Sequence, residues 1–364
     1  MSDLEALSPG EMIAKQIKAK GLTQKAVASI SGIDQAVLSR IIKSGRSIDP
    51  DTALKLQEAI DINAFQLLEA QLTADFKIAQ AGFKERDKIK KARAVYEFAP
   101  TQEMINRGWL PGVKKNSDLP SLAEGLKKFY DLEDLTQIPA IPHAAKKTNE
   151  MSLPTPSQIA WLQRAKQKAQ TLKIDRSFNE NLMEECFAEL HPLLREVSSV
   201  TLVADILKNY GIRLVFIEKL KSSKIDGACL WINGKNDPVV AMSLRYDRID
   251  NFWFILRHEL EHVRKGEGKS WGEMDNIETM EDEANQAFQH FIDPKNSIAE
   301  FIKTNGGHIS SIAVEKLATA LKIHPGLVAG QVHHLTQRYA LFRQYLAPFR
   351  NSLVTQGNNI DGWT

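Results

Sequence analysis

The chain has 364 residues, which is more than one ordinary domain needs and suits two or three. Its 43% hydrophobic and 25% charged residues are average for globular proteins, and a net charge of +2 gives no overall argument for nucleic-acid binding. No uninterrupted apolar run could cross a membrane, the first residues lack a secretory-signal pattern, and two cysteines among apolar neighbours indicate a reducing compartment, so we predict a cytoplasmic protein.

Residues 1–75 predict short amphipathic helices separated by turns. Within residues 22–42, Thr23 is placed to cap one helix and Asp34 to cap the next. Gly32 lies between them, where a tight turn needs a residue that tolerates positive φ. This order of cap, helix, glycine turn, cap and helix predicts an all-α helix-turn-helix domain.

The two helices have distinct inner and outer faces. The inner faces are predicted to hold Ala26, Val27 and Ile30 on the first helix, and Val37, Leu38, Ile41 and Ile42 on the second. The outward residues are candidate DNA contacts: Gln35, Ala36, Ser39, Arg40 and Lys43 toward the major groove, and Gln24 toward a phosphate. The alternative is a generic helical hairpin that binds no DNA.

Several short runs resemble the DNA-binding part of HigA-type antitoxins, which belong to the larger Cro/repressor-like superfamily. The resemblance covers residues 8–72 and is carried by four runs, residues 9–11, 22–24, 42–46 and 49–56. It implies a homodimer on palindromic operator DNA, repression of the protein's own operon, and a small toxin as partner, usually a ribosome-dependent ribonuclease.

Residues 76–157 are predicted to form a helical connector and linker. The connector contains a basic stretch at 84–93, which fits a solvated helix face and a phosphate-contacting face equally well, and a helix at 122–130. Residues 138–157 are rich in Pro, Lys, Thr and Ser, a composition typical of linkers.

Residues 158–348 have the pattern of an α+β domain, followed by a C-terminal tail at 349–364. Helices are predicted at 161–171 and 178–197, short strands at 213–217, 228–232 and 238–243, and mostly helices after 250. The Asn233–Gly234 pair between the second and third strands predicts a hairpin.

The sharpest chemical pattern is His258-Glu259-Leu-Glu-His262. Two histidines four residues apart project from one side of a helix and can ligate one zinc ion. Zinc lowers the pKa of a bound water toward neutrality, and Glu259 is placed to take its proton and carry it to the leaving amine. The strongly apolar residues before the motif predict that this helix is buried.

A zinc site of this type needs a third protein ligand. A second apolar helix supplies two acids, of which Glu283 is preferred and Glu281 is the alternative, because spacing alone does not separate them. The competing interpretation is a salt-bridged helix with two incidental histidines.

Residues 160–345 resemble the ImmA/IrrE-type metallopeptidase family. The runs that carry the resemblance are residues 227–231, 237–246, 250–254, 283–285 and 323–330. The resemblance implies a zincin-like fold in which His258, His262 and Glu283 are zinc ligands and Glu259 is the general base. Glu261 stands where this family commonly has glycine, so a long acid could crowd the metal, which bears on activity more than on zinc binding.

The sequence thus predicts a multidomain protein, with a helix-turn-helix domain followed by a zincin-like metallopeptidase domain. The leading function is an antitoxin-like transcriptional regulator whose C-terminal domain binds, senses or cleaves a protein partner. The second is a regulated zinc endopeptidase that cleaves a repressor. The third is a peptidase fold used only as an interaction module.

Overall fold

The computed structural model describes residues 7–43, 46–137, 143–144, 154–234, 236–269, 277–305, 308–355 and 360–362. The chain divides into two compact units, Met1–Lys91 and Ala92–Thr364. Each unit has its own core, and each is described separately below.

The first unit is all-helical, as predicted. Its helices are α1 (Pro9–Ala19), α2 (Gln24–Ser31), α3 (Gln35–Ile42), α4 (Pro50–Ile60) and α5 (Ala64–Gly82), and α6 (Arg86–Phe98) begins within it. Each of the first five helices starts at a side-chain cap that accepts a hydrogen bond from a free backbone N–H of the first turn.

The core of the first unit is formed by one apolar side of each helix, including Ile13, Val27, Leu38 and Leu56, all fully buried. At Gly10, α1 approaches the end of α3 so closely that an added Cβ would lie 2.9 Å from the carbonyl oxygen of Ile41. The pairing of these two helices therefore depends on the missing side chain.

The second unit is built around a five-stranded mixed sheet. Its strands are β1 (His143–Ala144), β2 (Arg213–Ile217), β3 (Gly227–Ile232), β4 (Asp237–Met242) and β5 (Ile360–Asp361), in the order β1-β3-β4-β2-β5. The β1–β3 and β3–β4 pairs are antiparallel, whereas β2 runs parallel to β4 and to β5. The predicted hairpin is confirmed, because β3 and β4 are joined through Asn233 and Gly234, both at positive φ.

Helices cover both faces of this sheet. Those before the central strands are α7 (Thr101–Asn106), α8 (Leu119–Tyr130), α9 (Pro156–Thr171), α10 (Met183–Leu190) and α11 (Val203–Asn209). Those after them are α12 (Ile249–Lys265), α13 (Ile277–Ile292), α14 (Ser297–Thr304), α15 (Ser311–Leu321), α16 (Pro325–Thr336) and α17 (Arg350–Thr355).

Strand residues alternate between two cores. In β2, Val215 and Ile217 point into a core shared with α8 and α9, whereas Leu214 and Phe216 point into a larger core that contains α10, α11 and α12. Because both faces of the strand are covered, all its residues are buried. This layering fixes α12, the helix with the histidine pair, against one face of the sheet.

Short strands close both edges of the sheet. On one side β1 pairs with β3, and on the other β5 pairs with β2. The side chain of Asp361 in β5 accepts hydrogen bonds from the indole N–H of Trp109 (2.8 Å) and from Arg164 (2.7 Å). Strand β5 is thereby attached to α9 and to the loop before α8.

The structure differs from the predicted boundaries in three places. Residues 92–137, predicted as connector, contribute Trp109 and Leu126 to the sheet core, and residues 349–355, predicted as tail, bury Phe349 and Leu353. The helix predicted at 178–197 is broken into short α and 3₁₀ segments, one of which contains Pro192, a residue that cannot donate the helical backbone hydrogen bond. Most of the predicted linker at 138–157 lies outside the described residues.

Two further predictions concern the cysteines and membrane-spanning helices. Both cysteines, Cys186 and Cys229, are free and buried, as their apolar neighbours indicate. Among the helices of the described residues, none combines the length and the apolar composition needed to cross a membrane.

Candidate functional site

The helix-turn-helix geometry matches the sequence prediction at both caps and at the turn between the helices. The Thr23 hydroxyl accepts a hydrogen bond from the N–H of Ala26 (3.1 Å), and Gly32 ends α2 at φ 68°. The carboxylate of Asp34 then accepts from the N–H groups of Ala36 (2.9 Å) and Val37 (3.1 Å) and begins α3. Two capped helices joined through one left-handed residue form the motif.

The candidate DNA contacts lie on the outer side of this motif. Five of the six are exposed and Ser39 is half-buried: Gln24, Gln35, Ala36, Arg40 and Lys43. One inner-face prediction is wrong, because Ile30 is 59% exposed and Ala28 is buried in its place.

The histidine pair lies on α12, a helix in which 13 of the 17 residues are buried. Phe252, Leu256 and Leu260 anchor one side of it in the core. Within α12, His258 and His262 are completely or almost completely buried, as the apolar residues before the motif predict. Gly266 ends the helix in the left-handed conformation, φ 68°.

Three side chains converge at the centre of the candidate metal site. The Nε2 atoms of His258 and His262 lie 3.1 Å apart, and the carboxylate of Glu281 lies 3.3 Å from the first and 3.7 Å from the second. Ligand atoms about 2.0–2.1 Å from a tetrahedral zinc ion are about 3.3 Å apart. The three separations therefore fit a zinc ion, and two neutral nitrogens with one carboxylate oxygen are donors that zinc prefers.

The preferred third ligand, Glu283, requires a correction. Its carboxylate pairs with Lys265, and its side chain is 50% exposed, whereas Glu281 faces the two histidines with a side chain only 14% exposed. The two acids are two residues apart, so they project about 200° from one another on α13. The structure therefore favours the alternative acid, Glu281.

One supporting residue was missed in the sequence. The carboxylate of Glu267, just beyond the end of α12, contacts the Nδ1 atom of His262 on the ring edge opposite the candidate site. Burial lowers the pKa of His262, but Glu267, Glu259 and Glu281 outweigh it and raise the pKa above its ordinary value. A carboxylate on the second ring nitrogen is the arrangement that orients a metal-binding histidine.

The candidate general base, Glu259, is fully buried beside strand β3. At Gly227 an added Cβ would lie 2.7 Å from the Glu259 carboxylate and 2.6 Å from Ile255. The strand can therefore pass over this acid only because position 227 has no side chain.

Glu261 does not approach the histidines in the way its position in the motif implies. Its carboxylate accepts hydrogen bonds from Arg257 (2.9 Å) and from Arg264 (3.1 Å). The Arg257 guanidinium in turn lies 3.9 Å from the centroid of the Phe187 ring. Two arginines therefore hold this acid in an ion-pair network, which removes the expected crowding of the metal site.

A cavity of about 380 Å³ opens one helical turn before His258, between α12, α13 and α16. Phe254 and Phe288 supply apolar surface, whereas most other lining groups are amides and acids, such as Asn251 and Gln331. A cavity with an apolar floor and several polar groups can bind part of a polypeptide next to the candidate metal site.

Comparison with known proteins bears on the first unit. Residues 13–67 match the helix-turn-helix family model, which covers α2 and α3 with their caps and most of the first unit's core. The match identifies this unit as a helix-turn-helix DNA-binding domain of the kind found in transcriptional regulators. No curated protein matches the chain. No solved structure matches it either.

Proposed function

We propose that this DNA-binding transcriptional regulator recognises an operator through α3 and carries a zinc-dependent peptidase-type site in its second unit. The three-residue cluster of His258, His262 and Glu281 is the observation that carries the second half of the proposal. The resemblances to HigA-type antitoxins and to ImmA/IrrE-type metallopeptidases support the same combination, acting as a cytoplasmic homodimer with a small toxin or a repressor protein as partner.

DNA recognition rests on the outward side of α3. Gln35 and Arg40 are exposed there, and both side-chain types can form paired hydrogen bonds with base edges in the major groove. We expect the wild type to bind an operator selected from random duplexes, and the Q35A/R40A variant to lose this specific binding. K55A removes one exposed charge from α4 and is the control, because it should retain the operator preference. Equal binding of all three proteins would contradict the proposal.

The candidate metal site of the second unit is almost completely buried from solvent. When bound, zinc would supply Lewis-acid chemistry and lower the pKa of water at its open coordination position toward neutrality. His258, His262 and Glu281 would hold the ion, and Glu267 would fix the orientation of the His262 ring.

Glu259 is the residue proposed to move the proton. It would take a proton from the attacking water as oxygen adds to a peptide carbonyl, and donate it to the amine nitrogen as the C–N bond breaks. Its complete burial favours proton exchange within the site over exchange with bulk solvent.

Metal content is the experiment that tests the site. We expect about one zinc ion per chain in the purified wild type and none in the H258A variant, measured by elemental analysis. Wild-type protein that takes up no zinc, even after zinc is added, would contradict the proposal and leave a DNA-binding protein whose second unit serves interaction only.

A second variant separates cleavage from binding. E259Q removes the base but keeps the shape, so zinc content should be unchanged and cleavage of a protein partner should stop. If partner binding and repression persist unchanged in E259Q, they do not need catalysis, and the second unit acts as an interaction module.

A further inference from the structure

Helix α5 carries an apolar stripe that the first unit's core leaves open. Six apolar residues follow one another at steps of three or four, five within α5 and one directly after its end: Phe65, Leu68, Leu72, Phe76, Ala79 and then Phe83. Of these, Leu68 packs partly against the unit's own core. Since a helix turns about 100° per residue, the six positions fall within an arc of about 80°. The spacing is that of a helix packed along its whole length against a partner.

Only the start of this helix is packed within its unit. Ala64 and Leu67 are buried, whereas no residue from 69 to 82 is. The large side chains of the stripe are exposed to 75%, 69%, 63% and 48%, in the order Phe65, Leu72, Phe76 and Phe83. Contiguous exposed apolar surface of this kind marks an interaction site.

The four large exposed residues of the stripe are spaced symmetrically about position 74. Phe65 and Phe83 lie nine residues on either side of it, and Leu72 and Phe76 lie two residues on either side. If two copies of α5 are laid antiparallel about a two-fold axis at that position, Phe65 meets Phe83 of the other copy and Leu72 meets Phe76. A surface that is complementary to itself in this way has the property an isologous interface requires.

We propose that the chain forms a homodimer through α5, paired antiparallel with α5 of a second copy and centred at position 74. The inference deepens the homodimer of the proposed function by naming its surface and register. The exposed parts of Phe65, Phe76 and Phe83 together amount to nearly two whole side chains, or about 370 Å² per copy if one phenylalanine contributes about 200 Å². When the exposed part of Leu72 is added, two copies would bury about 1,000 Å² in total, which is the lower limit for a specific interface.

The mass of the full-length protein in solution tests the interface. By light scattering after size exclusion, we expect twice the 40.9 kDa of one chain for the wild type and one chain for L72E/F76E. That variant brings four carboxylates together at the centre of the dimer, and its dissociation constant should rise at least about 100-fold. I78E is the matched control, because Ile78 is 72% exposed but lies on another side of α5.

Cross-linking tests the register. Phe65 is level with Phe83 of the second copy only across an antiparallel pair, and there it lies about 27 Å along the axis from its own equivalent. A short bis-maleimide should therefore link F65C to F83C when the two variants are mixed, and neither variant alone. Efficient linking of each variant with itself would indicate a parallel pair and overturn the register. The native thiols are both buried and give little background.

A monomeric wild type at tens of micromolar, or a dimer that L72E/F76E leaves intact, would overturn the interface. A monomeric wild type would also result if another part of the chain covered the stripe. These measurements report association, and neither DNA binding nor zinc enters them. A dimer without operator binding would therefore refute the proposed function alone, and an operator-binding monomer would refute this inference alone.

Discussion

The choice between Glu281 and Glu283 gives the most direct test of the candidate metal centre. The two acids lie on the same helix, two residues apart, and carry the same charge, so E281Q and E283Q change the net charge of the protein equally. Only Glu281 lies 3.3 Å and 3.7 Å from the histidine nitrogens, while Glu283 is half exposed and paired with Lys265.

The expected magnitudes follow from these contacts. Carboxylates that only orient a ligand typically contribute 10–100-fold to metal affinity, so loss of a direct ligand should lower zinc affinity by at least about 100-fold, or about 2.7 kcal/mol. A half-exposed ion pair contributes at most about 1 kcal/mol to stability and nothing to the metal, so E283Q should bind zinc within about threefold of wild type.

Zinc affinity is measured by competition with a chromophoric chelator, with far-ultraviolet circular dichroism to verify that both variants are folded. A larger loss in E283Q than in E281Q would refute the assignment of the third ligand and restore the choice made from the sequence. Equal affinities in both variants and in wild type would refute an acidic third ligand on α13 altogether.

Three other predictions follow from local contacts. G10A should cost about 1–3 kcal/mol in urea unfolding, because its Cβ would overlap the backbone of α3, whereas G82A meets no atom within 4 Å and should be neutral or stabilising. E267Q should lower zinc affinity about 10–100-fold without preventing folding, and unchanged affinity would show that this carboxylate does not orient a ligand. Burial raises the pKa of the Cys186 thiol to about 12 and that of Cys229 well above its ordinary value, so neither should react with a disulfide reagent at pH 8 until the protein is denatured.

Local signals predicted the first unit well because its structure is determined locally. Thr23, Gly32 and Asp34 each act on backbone groups within three residues, so a sequence pattern contains the whole interaction. The error at Ile30 has the opposite origin. Its burial depends on which neighbouring helix covers that side of α2, and a periodic pattern does not specify the neighbour.

In the second unit the histidine motif was found for the same reason, since both residues lie on one helix. The third acid lies on a different helix, whose position along α12 the spacing of the motif does not determine. A signal was nevertheless present, because Glu281 lies three residues before Ala284 and seven before Phe288, on the buried face of α13. Glu267 was missed because it is placed by the left-handed turn at the end of α12, beyond the helical repeat.

The two-residue strands β1 and β5, at the edges of the sheet, protect the protein against edge-to-edge aggregation. An uncovered edge presents a row of backbone N–H and C=O groups to which the same edge of another molecule can add, and this is how many β-sheet proteins begin to polymerise. Here β5 is held by Trp109 and Arg164 through Asp361. Loss of β5 would therefore leave backbone N–H and C=O groups of β2 unpaired at the edge of the sheet, where a strand of a second molecule can add.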